Sequence, residues 1–362
     1  MRILTLWWRL LRELSEEEWI RKNLKRLIEI KSISGEERDA VSFVIDLCKE
    51  LGFDKSFIDE VNNGICIKGG ESFSVLMAPH IDTVPGYYDV KEIEDKIIGR
   101  GAVDAKGPLI SMLLASSREY ERAGINFVAL VDEEGKNTGS KNLINKGNQY
   151  DYIIVGEPSN ISDYVIEYRG YAFIDMECRA KPSHSSFPNS ASAYEIFHNI
   201  YYTLKKIFIG EKYENPSITL TKICGGEYYN VMPTNVRAIL DTRFPYPYSI
   251  KDIIKLINDI IKTNDCSYNI ISSCEPVKVQ PSNSIARSIA RAISKAGMKP
   301  RPVRKFGSSD MNILVNIAKR GIIAYGPGDS KFAHTNYEEI SVKDVFVSSK
   351  VIENAINALS KS

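Results

Sequence analysis

No two cysteines of this chain stand in a C-x-x-C pair, although it holds six: Cys48, Cys66, Cys178, Cys224, Cys266 and Cys274. Their scatter offers no zinc ribbon and no disulfide frame, and reads as reduced thiols in a cytoplasmic protein. A surplus of charge is missing too. Its 47 Lys and Arg against 46 Asp and Glu leave a formal charge of +1, so no nucleic-acid or membrane partner is expected from bulk electrostatics. No apolar run reaches the roughly 20 residues that cross a bilayer. The N-terminal MRILTLWWRLLREL is broken by Arg9 and Arg12 and lacks a small-residue cleavage site, which reads as neither signal peptide nor anchor. Internal repeats and low-complexity segments are absent. Histidine is scarce, four in the whole chain, and that makes each position informative.

At 362 residues the chain exceeds the roughly 250 to 300 residues at which single cores stop growing, so two domains are expected. A Ser-x-x-Glu capping box at Ser15 and Glu18 predicts the start of an amphipathic helix, and EERDAVSFVIDLCKELG predicts a second that stops at Gly52. Strand-like runs at 64–68, 74–79, 126–131, 151–155 and 321–325 alternate with helical stretches such as PLISMLLASSREYERAG. This alternation predicts an α/β catalytic domain with a mostly parallel sheet. Between about 165 and 277 antiparallel strands dominate, with helices near 191–208 and 250–263. The predicted organisation is therefore a catalytic domain formed by 1–166 and 278–362 and interrupted by an α+β domain, 167–277.

The ends of the predicted α/β strands carry the chemistry. SVLMAP ends at His80, NFVALV at Asp132, Glu133 and Glu134, DYIIVG at Glu157, and GIIAYGPG is followed by His334; Asp104 lies in the turn GRGAVDAKG. The carboxyl ends of strands in such sheets line the ligand crevice, and carboxylates gathered there repel one another unless a cation holds them. Two divalent metals satisfy this. Asp104, Glu134 and Glu157 with neutral His80 and His334 carry −3 against +4, and one hydroxide brings neutrality. Zinc suits the mixture of nitrogen and oxygen donors, with cobalt or manganese also compatible. Glu133 is left for proton transfer, and Asp82 is placed to fix the His80 imidazole. A lone His-x-Asp or Glu-Glu is usually an accident or a solvated surface; coincidence at successive strand ends is what points to a site. His198 lacks such company and reads as structural.

The segments APHIDTVPG, GRGAVDAKGP, VDEEGKNTGSKNL, VGEPSN, SHSSFP, GSSDMNIL and YGPGDSKFAHTNYEEI together resemble the M20 metallopeptidase family, from about residue 20 to the C-terminus. The resemblance implies a zinc-aminopeptidase-like catalytic fold with an inserted lid and dimerisation domain. It implies His80, Asp104 and Glu157 on one metal, and Asp104, Glu134 and His334 on the other, with Asp104 shared and a cis peptide after it. Glu133 matches the general base, Asp82 the histidine orienter. His184 matches a lid histidine that reaches across a homodimer to stabilise the oxyanion. For substrate binding, the resemblance points to Asn230, Arg243 and the loop Gly307, Ser308, Ser309, Asp310, where a fork-shaped guanidinium would pair with a carboxylate.

Within the family, HIDTVPG, GRGAVDAKGPLISM, VGEPSN, EYRG and VRKFGSSDMNIL look most like hydrolases that release lysine or ornithine from the C-terminal glutamate of a small acidic amino-group carrier protein, in lysine and arginine biosynthesis. The alternatives are a deacylase of free N-acetyl-ornithine, N-acetyl-lysine or N-succinyl-diaminopimelate, a dipeptidase, and a catalytically silent binding module. All the enzymatic readings hydrolyse linear amide C–N bonds. Just before the Gly307 loop, Arg291, Lys295, Lys299, Arg301, Arg304 and Lys305 concentrate positive charge, a rim expected to border the active site and to steer an acidic carrier.

Overall fold

The run Phe73–Pro79 is buried at every position but one, as expected of a strand covered on both faces. It lies in the middle of the principal sheet of a computed structural model that describes residues 2–70, 72–187, 191–261 and 265–360, residues 2–14 by backbone only. The chain divides into two compact units, one formed by Met1–Ile166, Val279–Arg304 and Ile313–Ser362, the other by Glu167–Lys278 and Lys305–Asn312.

In the first unit the strands run in the order Lys55–Ile58, Gly64–Lys68, Ala123–Ala129, Phe73–Pro79, Tyr150–Gly156, Ala318–Tyr325 and Asp163–Tyr168. Ala123–Ala129, Phe73–Pro79, Tyr150–Gly156 and Ala318–Tyr325 are mutually parallel. Their carboxyl ends therefore share one edge of the sheet, which delivers the residues that follow them to one place. The core joins strand residues such as Met77 and Ile154 to Leu109 and Leu113 of the helix Gly107–Ser116, and to Val351 and Ile356 of the helix Val342–Leu359.

Three expectations need correction. The first helix spans Arg2–Glu29, so Ser15 lies within it and does not cap it; no Gly or Pro interrupts residues 2–14, and their Leu, Arg and Trp are compatible with helix. The helix predicted over PLISMLLASSREYERAG ends at Ser116, where Ser117 turns its hydroxyl back to the Leu114 carbonyl at 2.8 Å; Ala123 and Gly124 belong to the next strand. Four of the six cysteines are paired, not reduced. Cys48, on the helix Arg38–Glu50, is bonded to Cys66 on Gly64–Lys68, and Cys178 is bonded to its cross-strand neighbour Cys266. These pairs join elements 18 and 88 residues apart, and short spacing motifs are blind to such pairings. Cys224 and Cys274 lie outside these two disulfides.

The second unit holds a four-stranded antiparallel sheet ordered Ser217–Gly225, Asn235–Phe244, Gly170–Arg179, Cys266–Cys274. The helices Ala193–Ile207 and Ile250–Ile260 start in capping boxes, Ser192 with Glu195 and Ser249 with Asp252. Their apolar faces, Phe197, Leu204, Ile253 and Ile257, close a separate core over Ile174, Met176 and Leu240.

Candidate metal centre and active site

His80 is the first residue after the strand Phe73–Pro79, and is almost wholly buried. Its Nδ1 lies 3.0 Å from the Asp82 carbonyl oxygen and 3.4 Å from the Asp82 carboxylate. Its Nε2 lies 3.1 Å from Asp104 Oδ1. On the other side of the same carboxylate, His334 Nε2 lies 3.3 Å from Asp104 Oδ2 and also contacts Glu134. Asp104 thus turns one oxygen to each histidine. Its peptide bond to Ala105 is cis, as the family resemblance implies.

Potential ligand atoms gather into three groups within 4.8 Å: His80, Asp104 and Glu157; Asp104, Glu134 and His334; and His80, Glu133 and Glu134. The first two are the ligand sets expected from the sequence, with Asp104 common to both. The third puts Glu133 beside them. Electrostatics makes the cluster a trap for positive charge. Burial opposes a charge on His80, yet bonds to Asp104 and Asp82 hold its pKa well above the ordinary imidazole value. Bonds to Asp104 and Glu134 push His334 up to about 10. Burial likewise resists ionisation of Asp104, but the two imidazoles draw its pKa below the usual carboxylate range. Imidazole nitrogen with carboxylate oxygen is a donor set that suits divalent metal, so these residues fit one.

Asp82 also serves the site through its backbone neighbours. Its carboxylate, fully buried, accepts the Glu133 N–H at 3.1 Å, the Glu134 N–H at 2.9 Å and the Ser34 hydroxyl at 2.7 Å. Glu37 accepts the Asp132 N–H at 3.0 Å and the Gly35 N–H at 2.8 Å. Neither Ser34 nor Glu37 was legible as part of the site, because they lie about 50 and 100 residues from what they support and carry no spacing signal.

In the second unit, Arg243 is the penultimate residue of the strand Asn235–Phe244 and donates from Nε and Nη2 to the two Asp241 carboxylate oxygens at 2.8 and 3.1 Å. Its Nη1 donates to the Ser308 hydroxyl at 3.3 Å, so Arg243 and the Gly307–Asp310 loop are brought together. Arg169 anchors that loop: its N–H donates to the Gly307 carbonyl at 3.1 Å, and its buried guanidinium lies 4.5 Å from the Phe306 ring centroid while donating to the carbonyls of Lys212, Tyr213 and Asn215. His184 is exposed, with Nδ1 2.8 Å from the Ser186 hydroxyl. Its loop is tied to that of Asn230, whose carbonyl accepts the Ser185 N–H at 3.2 Å.

Comparison with known proteins follows the same lines. Residues 76–358 match the model of the peptidase family M20/M25/M40. The chain is 42% identical, over 95% of its length and 98% of the relative's, to a [LysW]-lysine/[LysW]-ornithine hydrolase of Sulfurisphaera tokodaii. A protein of the same name from Saccharolobus solfataricus is 39% identical over 96% of this chain and 99% of that one. A tripeptidase structure from Staphylococcus aureus shares the fold, with a TM-score of 0.81 at 20% identity, covering 96% of this chain and 99% of the other. With a family model spanning most of its length and relatives of this similarity, the chain belongs to the M20/M25/M40 peptidase family.

Proposed function

We propose that this chain is a di-metal amidohydrolase that releases lysine, ornithine or both from the C-terminal glutamate of a small acidic amino-group carrier protein, a cytoplasmic step of lysine and arginine biosynthesis. The observation that carries the chemistry is the Asp104 carboxylate, with one oxygen facing His80 and the other facing His334. Two ions would be held by His80, Asp104 and Glu157 and by Asp104, Glu134 and His334, zinc being the first choice and cobalt compatible. When bound, such ions polarise an amide carbonyl and make a water acidic near neutral pH.

Glu133 would be the group that moves the proton, accepting it from a water molecule and delivering it to the leaving amine. Asp82 keeps Glu133 and Glu134 in register through their backbone N–H groups. Arg243, Ser308, Gly307 and Asn230 are assigned to a carboxylate of the substrate. The Arg243 guanidinium is already held flat against Asp241, which limits the rotamer freedom lost on binding.

The second unit is assigned the lid and dimerisation roles, with His184 of one copy supplying an oxyanion donor to the site of another. Two features of that unit support a homodimer. The strand Ser217–Gly225 is an edge of its sheet, and Tyr194, Tyr202, Ile207, Ile209 and Ile223 are exposed; long bare edges and apolar patches are commonly covered by a partner. The carrier reading draws on the relatives' names and on the exposed Arg291, Lys295, Lys299, Arg301 and Arg304. Among the described residues no helix is long and apolar enough to cross a membrane.

The test is to incubate the metal-loaded protein with carrier bearing lysine or ornithine on its terminal glutamate, beside free N-acetyl-ornithine, and follow both by mass spectrometry. The expected result is loss of the amino-acid mass from the carrier. Cleavage of the free acetylated substrate alone would overturn the carrier reading in favour of a deacetylase.

A further inference from the structure

Glu338 is a buried carboxylate, 1% exposed, that belongs to neither ligand set. Its Oε2 accepts three backbone N–H groups from a single turn: Gly101 at 3.1 Å, Val103 at 3.2 Å and Asp104 at 3.3 Å. Its Oε1 is paired with Arg100, itself 3% exposed, whose guanidinium faces the Tyr88 ring. The Glu338 backbone completes the junction. Its N–H donates to the Tyr88 hydroxyl at 2.6 Å, and its carbonyl accepts the Gly99 N–H at 3.0 Å.

Successive N–H groups converging on one point form an anion-binding concavity, or nest. Here the nest depends on Gly101, whose φ of +84° is the left-handed conformation that other residues adopt at a cost. A Cβ at Gly101 would also approach Thr83 Cγ2 to 2.6 Å. The occupant of this nest is the chain's own Glu338. Both halves of the junction are further aligned by the short strand Lys96–Ile98, which enters the turn and pairs with Glu339–Ser341, immediately after Glu338.

We infer that Glu338 is a positioning residue that sets the distance between Asp104 and His334 and thereby assembles the ligand set of Asp104, Glu134 and His334. Glu338 stands four residues after His334 in sequence and holds the Asp104 turn by its side chain. It therefore links the segments that carry two members of one set, while His80, Glu134 and Glu157 arrive on other strands. The inference rests on the two-metal reading, and on the atoms that Glu338 touches in the protein itself. A carboxamide at this position cannot reproduce the arrangement, because Glu338 uses both oxygens as acceptors and an amide offers one.

The test is calorimetric titration of the metal-stripped protein with Zn²⁺, together with the visible spectrum of the Co²⁺-substituted protein, for the wild type, Glu338→Gln and Glu338→Asp. The wild type is expected to bind two ions per chain. In the variants the affinity for one ion falls about 10- to 100-fold, the range for partners that orient ligands, while the other is retained and the Co²⁺ bands shift. Glu338→Asp keeps the charge but shortens the reach, and decides the matter if the amide variant does not fold. Two ions bound with wild-type affinity in a folded variant overturn the inference. Equal weakening of both ions together with a large fall in melting temperature also overturns it, since that marks general structural damage. A wild type that binds fewer than two ions refutes the two-metal reading itself, and this inference with it.

Discussion

The Glu133 backbone N–H donates to the Asp82 carboxylate at 3.1 Å, so the proposed proton carrier is held by the same residue that supports His80. Its side chain belongs to the group with His80 and Glu134 but is not needed in either set that shares Asp104. Glu133→Gln is therefore expected to separate binding from turnover. Amide hydrolysis should fall about 10² to 10⁴-fold, the usual contribution of general acid-base catalysis, while metal stoichiometry and melting temperature stay near wild type. Steady-state kinetics beside metal analysis checks this. Retention of wild-type kcat would exclude Glu133 as the proton carrier.

Glu16 gives a prediction about pH. Its carboxylate lies 2.7 Å from Arg118 and 2.9 Å from Lys350, drawing together the first helix, the segment just past the helix Gly107–Ser116 and the C-terminal helix. Burial tends to raise its pKa, but the two cations outweigh that and bring it below the ordinary 4.5. A depressed folded-state pKa stabilises the protein above the unfolded value, and the contribution is lost as pH falls through the folded value. Glu16→Gln should accordingly lower stability by on the order of 1 kcal/mol, about one degree in melting temperature for a chain of this length, at pH 6 to 7. The difference should close as the wild type is acidified well below pH 4.5. A gap that stays constant down to pH 3 would show that the ion pairs contribute nothing.

Among the candidate metal ligands, His80 and Glu157 were legible in the sequence because each sits where an apolar run stops. A parallel sheet brings such stops to one edge: Pro79 precedes His80, and Gly156 precedes Glu157. What surrounds them was not legible. Glu338 and Glu37 act on backbone N–H groups far along the chain, and an acidic residue in a loop looks the same whether it fills a nest or faces water. The capping box at Ser15 failed for a related reason: it describes a local preference, and the longer helix satisfies those N–H groups internally. For Arg243 the family resemblance points to a substrate clamp; the structure shows an ion pair with Asp241 and a bond to Ser308, an arrangement compatible with that role and with a purely structural one.

The cysteine pairs can be checked directly. Thiol titration of the denatured, unreduced protein should find two reactive groups per chain, Cys224 and Cys274. Finding six would mean that the thiols are reduced. Because Cys178–Cys266 closes 88 residues, replacing both by Ala should reduce stability by about 2 to 4 kcal/mol, read as a lower midpoint in denaturant. Metal binding should be unaffected, since the pair lies in the second unit and the candidate ligand sets lie in the first.

The basic residues before the Gly307 loop allow carrier recognition to be separated from chemistry. Arg301 is already engaged with Asp163 at 2.7 Å, so reversing it would break a structural pair and confuse the result. Arg291, Lys295 and Lys299 are exposed, and the first two line a groove with Asn354 and Asn357 of the C-terminal helix. Reversing these three to Glu should raise KM for the carrier-linked substrate roughly tenfold at low salt and leave kcat unchanged. The effect should shrink as ionic strength approaches about 0.5 M, where the Debye length falls below roughly 5 Å. A small N-acyl amino acid makes no use of such a surface, so its KM should not move. Equal effects on the carrier and the small substrate would mean that the reversal disturbs the site itself. No effect on either would return the rim to solvated surface and leave carrier recognition to other parts of the protein.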